Sequence, residues 1–197
     1  MKTLGIFLLA FWTSFAYGQS WTDFIAQLGE KSPSHQLAST NRFFNQHLRY
    51  AEEKVDRWLL LDDFLAAGQG DCEDFAIGKY QTLLAKGFRA EEFSFIYAIQ
   101  RGSGQAHIAL LHNPSQSLLD SITNELSPLI ERNDLKPILA FTAKNYQLLS
   151  STKTLSNSER NLLSQWQHII YRAENTQQYR LKRGIALATS GIKSKDL

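Results

Sequence analysis

The stretch "GDCEDFAIGKY", residues 70–80, fixes where a helix begins, and the residues that follow change period. Asp71 is a good N-cap and Asp74, three residues on, fills the box position with an acid. Cys72, Ala76 and Leu83 then fall near one face, with Ile77, Tyr80 and Leu84 beside them. Gly87 ends the helix. After it, "EFSFIYAIQ" and "QAHIALLH" are aromatic and branched runs with the pattern of strands, joined by the turn "RGSG". A second turn, "NPSQ", leads to a short third run, "SLLDSI". A helix followed by an antiparallel meander is an α+β arrangement. Upstream, residues 21–68 read as mainly helical. "NRFFNQHLRYAEE" gathers Phe43, Phe44, His47 and Leu48 on one side, with Thr40 as N-cap, and the apolar "DRWLLLDDFLAAG" stops at Gly68 and Gly70. Downstream, Ser156 and Glu159 form a capping box for a helix carrying Leu162, Trp166, Ile169 and Ile170 as an apolar stripe.

The first residues are set apart from this pattern. Lys2 supplies a positive start, Leu4 to Trp12 an apolar run too short to span a bilayer, and Ala16-Tyr17-Gly18 small residues two apart. Residues 1–18 therefore read as a signal peptide, with a retained N-terminal anchor as the alternative. No later stretch is apolar enough for a membrane helix, so the mature chain is expected not to be membrane-inserted. Residues 19–197 read as one domain, with a basic, weakly patterned tail from 179 to 197. A net charge of +2 gives no reason to expect a nucleic-acid partner.

Export gives weight to the single cysteine of the chain. Exported cysteines usually pair, and one cysteine has no partner within its own chain. Cys72 is thus an intermolecular bridge, a buried relic or a reactive group. It stands in the first turn of its helix, where the dipole favours a thiolate. Three carboxylates crowd it, and they oppose one.

A cysteine nucleophile needs a base, and the base needs an orienting partner. Of the five histidines, His35 lies in a Ser/Pro-rich loop, and His47 and His168 lie on amphipathic helices; for all three, solvated or packing roles are the simpler reading. His107 and His112 lie on a strand. With "NPSQ" as a four-residue loop, His112 faces Ser117 and Ala109 faces Asp120. His107 then shares a face with Asp120 as its diagonal neighbour, at about 7–8 Å between Cα atoms. His112 falls on the opposite face. Cys72, His107 and Asp120 form a candidate Cys-His-Asp triad: nucleophile, base and orienting carboxylate. The Cys72 backbone N–H is one donor to an oxyanion, and Gln69 is a candidate for a second. The alternative is a buried Cys, a core His and a surface Asp that never meet.

Asp71, Glu73 and Asp74 admit two readings. They are hard oxygen donors of the kind Ca²⁺ takes, or acids complementing a helix N-terminus. A bound dication would offset their charge beside the thiol.

In order, "NRFFN", "GDCEDFAIGKY", "AHIALL", "LDSI", "ELSPLIERNDLKPILAFT" and "LLSQWQHII" resemble the bacterial transglutaminase-like cysteine proteases, specifically the periplasmic LapG type. The resemblance runs from about Trp21 to Tyr171. It implies a papain-like, transglutaminase-type α+β fold, a triad mapping onto Cys72, His107 and Asp120, and calcium dependence mapping onto Asp71, Glu73 and Asp74. It also implies a periplasmic enzyme that cleaves the N-terminal region of a large surface adhesin and so disperses a biofilm. An inner-membrane cyclic-di-GMP receptor would be its inhibitory partner. One departure is Ser121, where the family leads one to expect Asn. Two other readings share these residues: an acyl transferase of transglutaminase type, and a non-catalytic module that binds the receptor.

Overall fold

The computed structural model describes residues 21–29, 31–52, 57–151 and 154–173. The expected signal peptide and basic tail lie outside them. The chain divides at Ser156 into two compact units. The second holds one described helix, α5 (residues 157–173), capped as expected: the Ser156 N–H donates to Glu159 and the Glu159 N–H to the Ser156 hydroxyl.

The first unit is an α+β structure. Helices α1 (residues 21–28), α2 (Pro33–His47), α3 (Leu61–Ala67) and α4 (Cys72–Ala85) precede the strands β3 (Phe93–Gln100), β4 (Ala106–His112), β5 (Ser117–Leu119), β6 (Ser127–Pro128), β7 (Leu135–Phe141) and β8 (Tyr146–Leu148). These six form an antiparallel sheet in the order β6-β5-β4-β3-β7-β8. A separate two-stranded parallel ribbon joins β1 (Arg49–Tyr50) to β2 (Gln69–Gly70), so that it ends at the start of α4.

Helix α2 begins earlier than expected. Its N-cap is Ser32, with Pro33 in the first turn, and Thr40 lies in its interior. Ser followed by Pro is itself a strong start signal, because Pro lacks only an N–H that no helical carbonyl would use. His35 accordingly sits in a first helical turn and not in a loop. The helix also ends at His47, where the chain turns into β1. Helix α3 ends as expected at Gly68, whose φ of 68° is costly for other residues.

The helices close on an aromatic core of Phe43, Phe44, Leu48, Leu61, Phe64, Leu65 and Phe75. Gly78 of α4 permits the approach: a Cβ there would come within 2.7 Å of the Phe44 ring and 3.0 Å of the Phe64 ring. The other face of α4 packs on β4. Tyr80 of α4 also meets the rings of Phe93 and Phe95 on β3.

The meander β3-β4-β5 is formed as its periodicity suggests, with His112 opposite Ser117 across the "NPSQ" loop. The second neighbour of β3 is β7, which the sequence conceals. Pro137 cannot donate to a ladder. It is accommodated where the register shifts, Tyr97 facing Leu139 and Ala98 facing Pro137, so that Ile138 is the additional residue.

Candidate active site

Cys72 is the first residue of α4, where its N–H has no intrahelical acceptor. The helix start is over-determined. Asp74 accepts the Asp71 N–H through Oδ2 (3.3 Å) and the Leu59 N–H through Oδ1 (2.7 Å), and it is fully buried. A side chain at Gly70 would collide with that carboxylate, so glycine is required before the N-cap. The Asp71–Asp74 capping box expected from the sequence is present.

The thiol is buried and points at β4, where the backbone N–H of Ile108 approaches it. Ile108 is the residue after His107. The Cys72 thiol donates to Glu73 Oε2 at 3.2 Å. Burial, then the Glu73 charge and hydrogen bond and the Asp71 charge, push the thiol well above its ordinary range, and the Ile108 N–H opposes them. In this arrangement the sulfur keeps its proton.

His107 is buried, and its Nε2 lies 3.7 Å from Asp120 Oδ2. That is an ion-pair distance, longer than a hydrogen bond. The register argument brings the two residues together, with one refinement. The ladder ends at Leu119, so Asp120 sits just beyond it. His112 lies on the other face, among Phe88 and Phe93, and its Nδ1 bonds the Ser115 hydroxyl. His47 stacks on Phe43 and bonds the Phe43 carbonyl, a packing role.

Asp120 is held from every side. Its Oδ1 accepts the Ile122 and Thr123 N–H groups at 3.1 and 3.0 Å. Its Oδ2 accepts Arg132 Nη1, and that guanidinium also forks onto Asp134 at 2.8 and 2.7 Å. The Asp120 carbonyl accepts Lys79 Nζ (2.6 Å) and Asn45 Nδ2 (2.9 Å). Lys79 is fully buried and also donates to the Asn41 and Asn45 amide oxygens at 2.9 and 2.8 Å. Burial pushes it down to about 7, against the Asp120 charge. Ser121, where the family leads one to expect Asn, has its hydroxyl buried without a hydrogen-bond partner among the described residues, and the Asp120 carboxylate is held instead by backbone N–H groups and Arg132.

Burial raises Asp120, but His107, Arg132 and the Thr123 N–H outweigh it and bring the carboxyl from 3.8 down to about 2. A depressed folded-state value stabilises above the unfolded value and is lost as pH falls through the folded one. Acid titration is therefore expected to remove about 2 kcal/mol between pH 3.8 and pH 2. Urea melts of wild type and Asp120→Asn check this, since the variant lacks that increment.

The three acids differ in what they are free to do. Asp74 is committed to two backbone N–H groups. Asp71 and Glu73 hydrogen-bond to each other, and burial followed by Asp71 pushes Glu73 up to about 10, so the pair holds a proton at neutral pH. Among the described residues, no group of three or more His, Cys, Asp or Glu side chains forms a metal site. An acid pair of buried Glu73 and half-buried Asp71 that holds a shared proton is nevertheless a donor set suited to a hard dication.

Sequence reasoning missed Lys79, Asn41, Asn45, Arg132 and Tyr50. The signal for the first three was present: Asn41 and Asn45 are four apart on one helix, and Lys79 interrupts an otherwise apolar face. Tyr50 lies opposite Gly70 in the parallel ribbon, its ring 6.2 Å from that of Phe75. Burial, then Cys72, Asp71, Glu52 and Glu73, raise its hydroxyl, which therefore stays protonated.

Comparison with known proteins bears on the family and the fold. The family model described as bacterial transglutaminase-like cysteine proteinase matches residues 22–133. Among solved structures the chain is similar to calcium-bound LapG of Legionella pneumophila, at 29% identity and a TM-score of 0.65, over 79% of this chain and 92% of that one. For EGTA-treated LapG the values are 30%, 0.69, 81% and 89%, and for a third LapG structure 31%, 0.68, 81% and 88%. None of the curated proteins matches. The matched span, more than half of the chain, contains Cys72, His107 and Asp120, and the chain belongs to the bacterial transglutaminase-like cysteine proteinases.

Proposed function

We propose that the protein is a calcium-dependent periplasmic endopeptidase that uses Cys72, His107 and Asp120 to cut the N-terminal region of a large surface adhesin, releasing it from the cell. The observation that carries this reading is the convergence on β4: the thiol meets the backbone of Ile108, and His107, the residue before, turns Nε2 toward Asp120. With Nε2 facing the carboxylate, Nδ1 is left to take the thiol proton. Sulfur then attacks the peptide carbonyl, His107 protonates the departing amine, and water completes hydrolysis by the reverse path. Asp120 fixes the tautomer and stabilises the imidazolium.

The calcium reading rests on Asp71 and Glu73, and on likeness to a relative solved in calcium-bound and EGTA-treated forms. Asp71 and Glu73 would hold the ion, and Asp74 shapes the loop. An ion held there would supply positive charge to offset both acids, and Glu73, engaged as its ligand, would not serve as acceptor for the Cys72 thiol. Chelation with EGTA is expected to lower cleavage at least about tenfold, and calcium to restore it and raise the melting temperature. Unchanged activity and melting in metal-free buffer contradict the calcium reading. An amine acceptor added to the same reaction tests hydrolysis against acyl transfer, since conjugate in place of hydrolysate assigns the chemistry to a transglutaminase. Control by an inner-membrane cyclic-di-GMP receptor belongs to the same proposal, on the strength of the family resemblance.

A further inference from the structure

The oxyanion formed when Cys72 attacks a carbonyl needs more than the Cys72 N–H, and the ribbon of β1 and β2 decides which side chain supplies the rest. Side chains alternate across a strand. Arg49 and Gln69 are opposite one another and bonded through the guanidinium and the Gln69 carbonyl oxygen, on one face of the ribbon. Tyr50 and Gly70 are opposite one another on the other face. That second face is the one against α4. The missing side chain of Gly70 leaves room for Asp74, and the Tyr50 ring packs near Phe75, one turn after Cys72. Gln69, the candidate second donor from sequence, is therefore turned away with Arg49.

Tyr50 is 46% exposed, so its ring borders the solvent side of the helix start. The charges of Cys72, Asp71 and Glu73 all act on its hydroxyl. A protonated phenol there is a donor without charge. Such a donor suits a site where negative charge develops on a substrate oxygen, and preorganised donors of this kind are often worth hundredfold or more in rate.

The geometry points to the Tyr50 hydroxyl as the second oxyanion donor, a catalytic residue acting with the Cys72 N–H. The assignment rests on the thiol-nucleophile reading of the site. In the step it serves, the thiol proton passes to His107, an S–C bond forms and the carbonyl π pair becomes the oxyanion. Tyr50 and the Cys72 N–H donate to that oxygen. When the C=O re-forms, the leaving group departs.

The test is acylation of Cys72 by p-nitrophenyl acetate, followed as nitrophenolate release, in wild type, Cys72→Ala, Tyr50→Phe and Tyr50→Leu, with calcium present. Tyr50→Phe keeps the ring and its packing, so melting is expected to be unchanged. Its acylation rate is expected to fall about a hundredfold. Tyr50→Leu is expected to lose no more than a few-fold beyond that. A Tyr50→Phe protein that acylates at the wild-type rate overturns the assignment. So does a loss seen only in Tyr50→Leu, which makes the ring a packing element. Wild type reacting no faster than Cys72→Ala overturns it as well, because no oxyanion then forms at that sulfur. The ester needs no adhesin, so failure to cleave an adhesin fragment counts against the proposed substrate and leaves this measurement standing.

Discussion

Cys72→Ala is expected to abolish proteolysis, by at least about 10⁴-fold in kcat, while the protein remains folded. The nucleophile forms the covalent intermediate, and without it only binding and oxyanion stabilisation remain. The fold should tolerate the change. The thiol is small and occupies the first turn of α4, a helix held independently by Asp71, Asp74 and Gly70. Removing it also takes away the proton that Glu73 Oε2 accepts, which leaves the Asp71–Glu73 pair intact. Cys72→Ser is expected to be almost as inactive, since a hydroxyl holds its proton far more tightly than a thiol. Cleavage assays with melting curves check both. A Cys72→Ala protein with wild-type proteolysis would remove cysteine from the mechanism.

The second large effect is on stability. Arg132→Met is expected to cost about 3–5 kcal/mol, because it leaves the buried Asp120 carboxylate without its guanidinium. Arg132→Lys should cost less: the charge survives and the fork onto Asp120 and Asp134 does not. Asp134→Asn should cost at most about 1 kcal/mol, since Asp134 is half exposed. Urea denaturation gives these values. If the loss is that of an uncompensated charge, Asp120→Asn on the Arg132→Met background recovers part of it. Arg132→Met melting as wild type would mean that Lys79, His107 and the loop N–H groups hold Asp120 unaided.

The site was legible where the physics is local. Asp71 and Asp74 set the first residue of α4, and a four-residue loop sets the pairing of His112 with Ser117. Those two facts select His107 over His112 and bring it to Asp120. What was hidden depends on partners distant in sequence. Strand β7 joins the far edge of β3, and Pro137 masks its alternation. Lys79 interrupts the apolar face of α4, and what it does there shows only once Asn41, Asn45 and the Asp120 carbonyl close around it. Arg132 reads as one charge in a charged loop until it meets Asp120. Ser32-Pro33 marks the start of α2, but Ser and Pro also mark turns, so the pair alone does not separate a helix start from a loop. The three acids beside Cys72 look alike in sequence. Only packing separates Asp74, tied to two backbone N–H groups, from Asp71 and Glu73, tied to each other.

The most direct measurement is cleavage by the purified protein of an N-terminal fragment of a large surface adhesin from the same organism. Wild type and Cys72→Ala would each be assayed with calcium and with EGTA, and products identified by mass. Discrete cleavage by wild type in calcium alone is the predicted result. Cleavage that persists in Cys72→Ala, or an intact fragment under every condition, would contradict it.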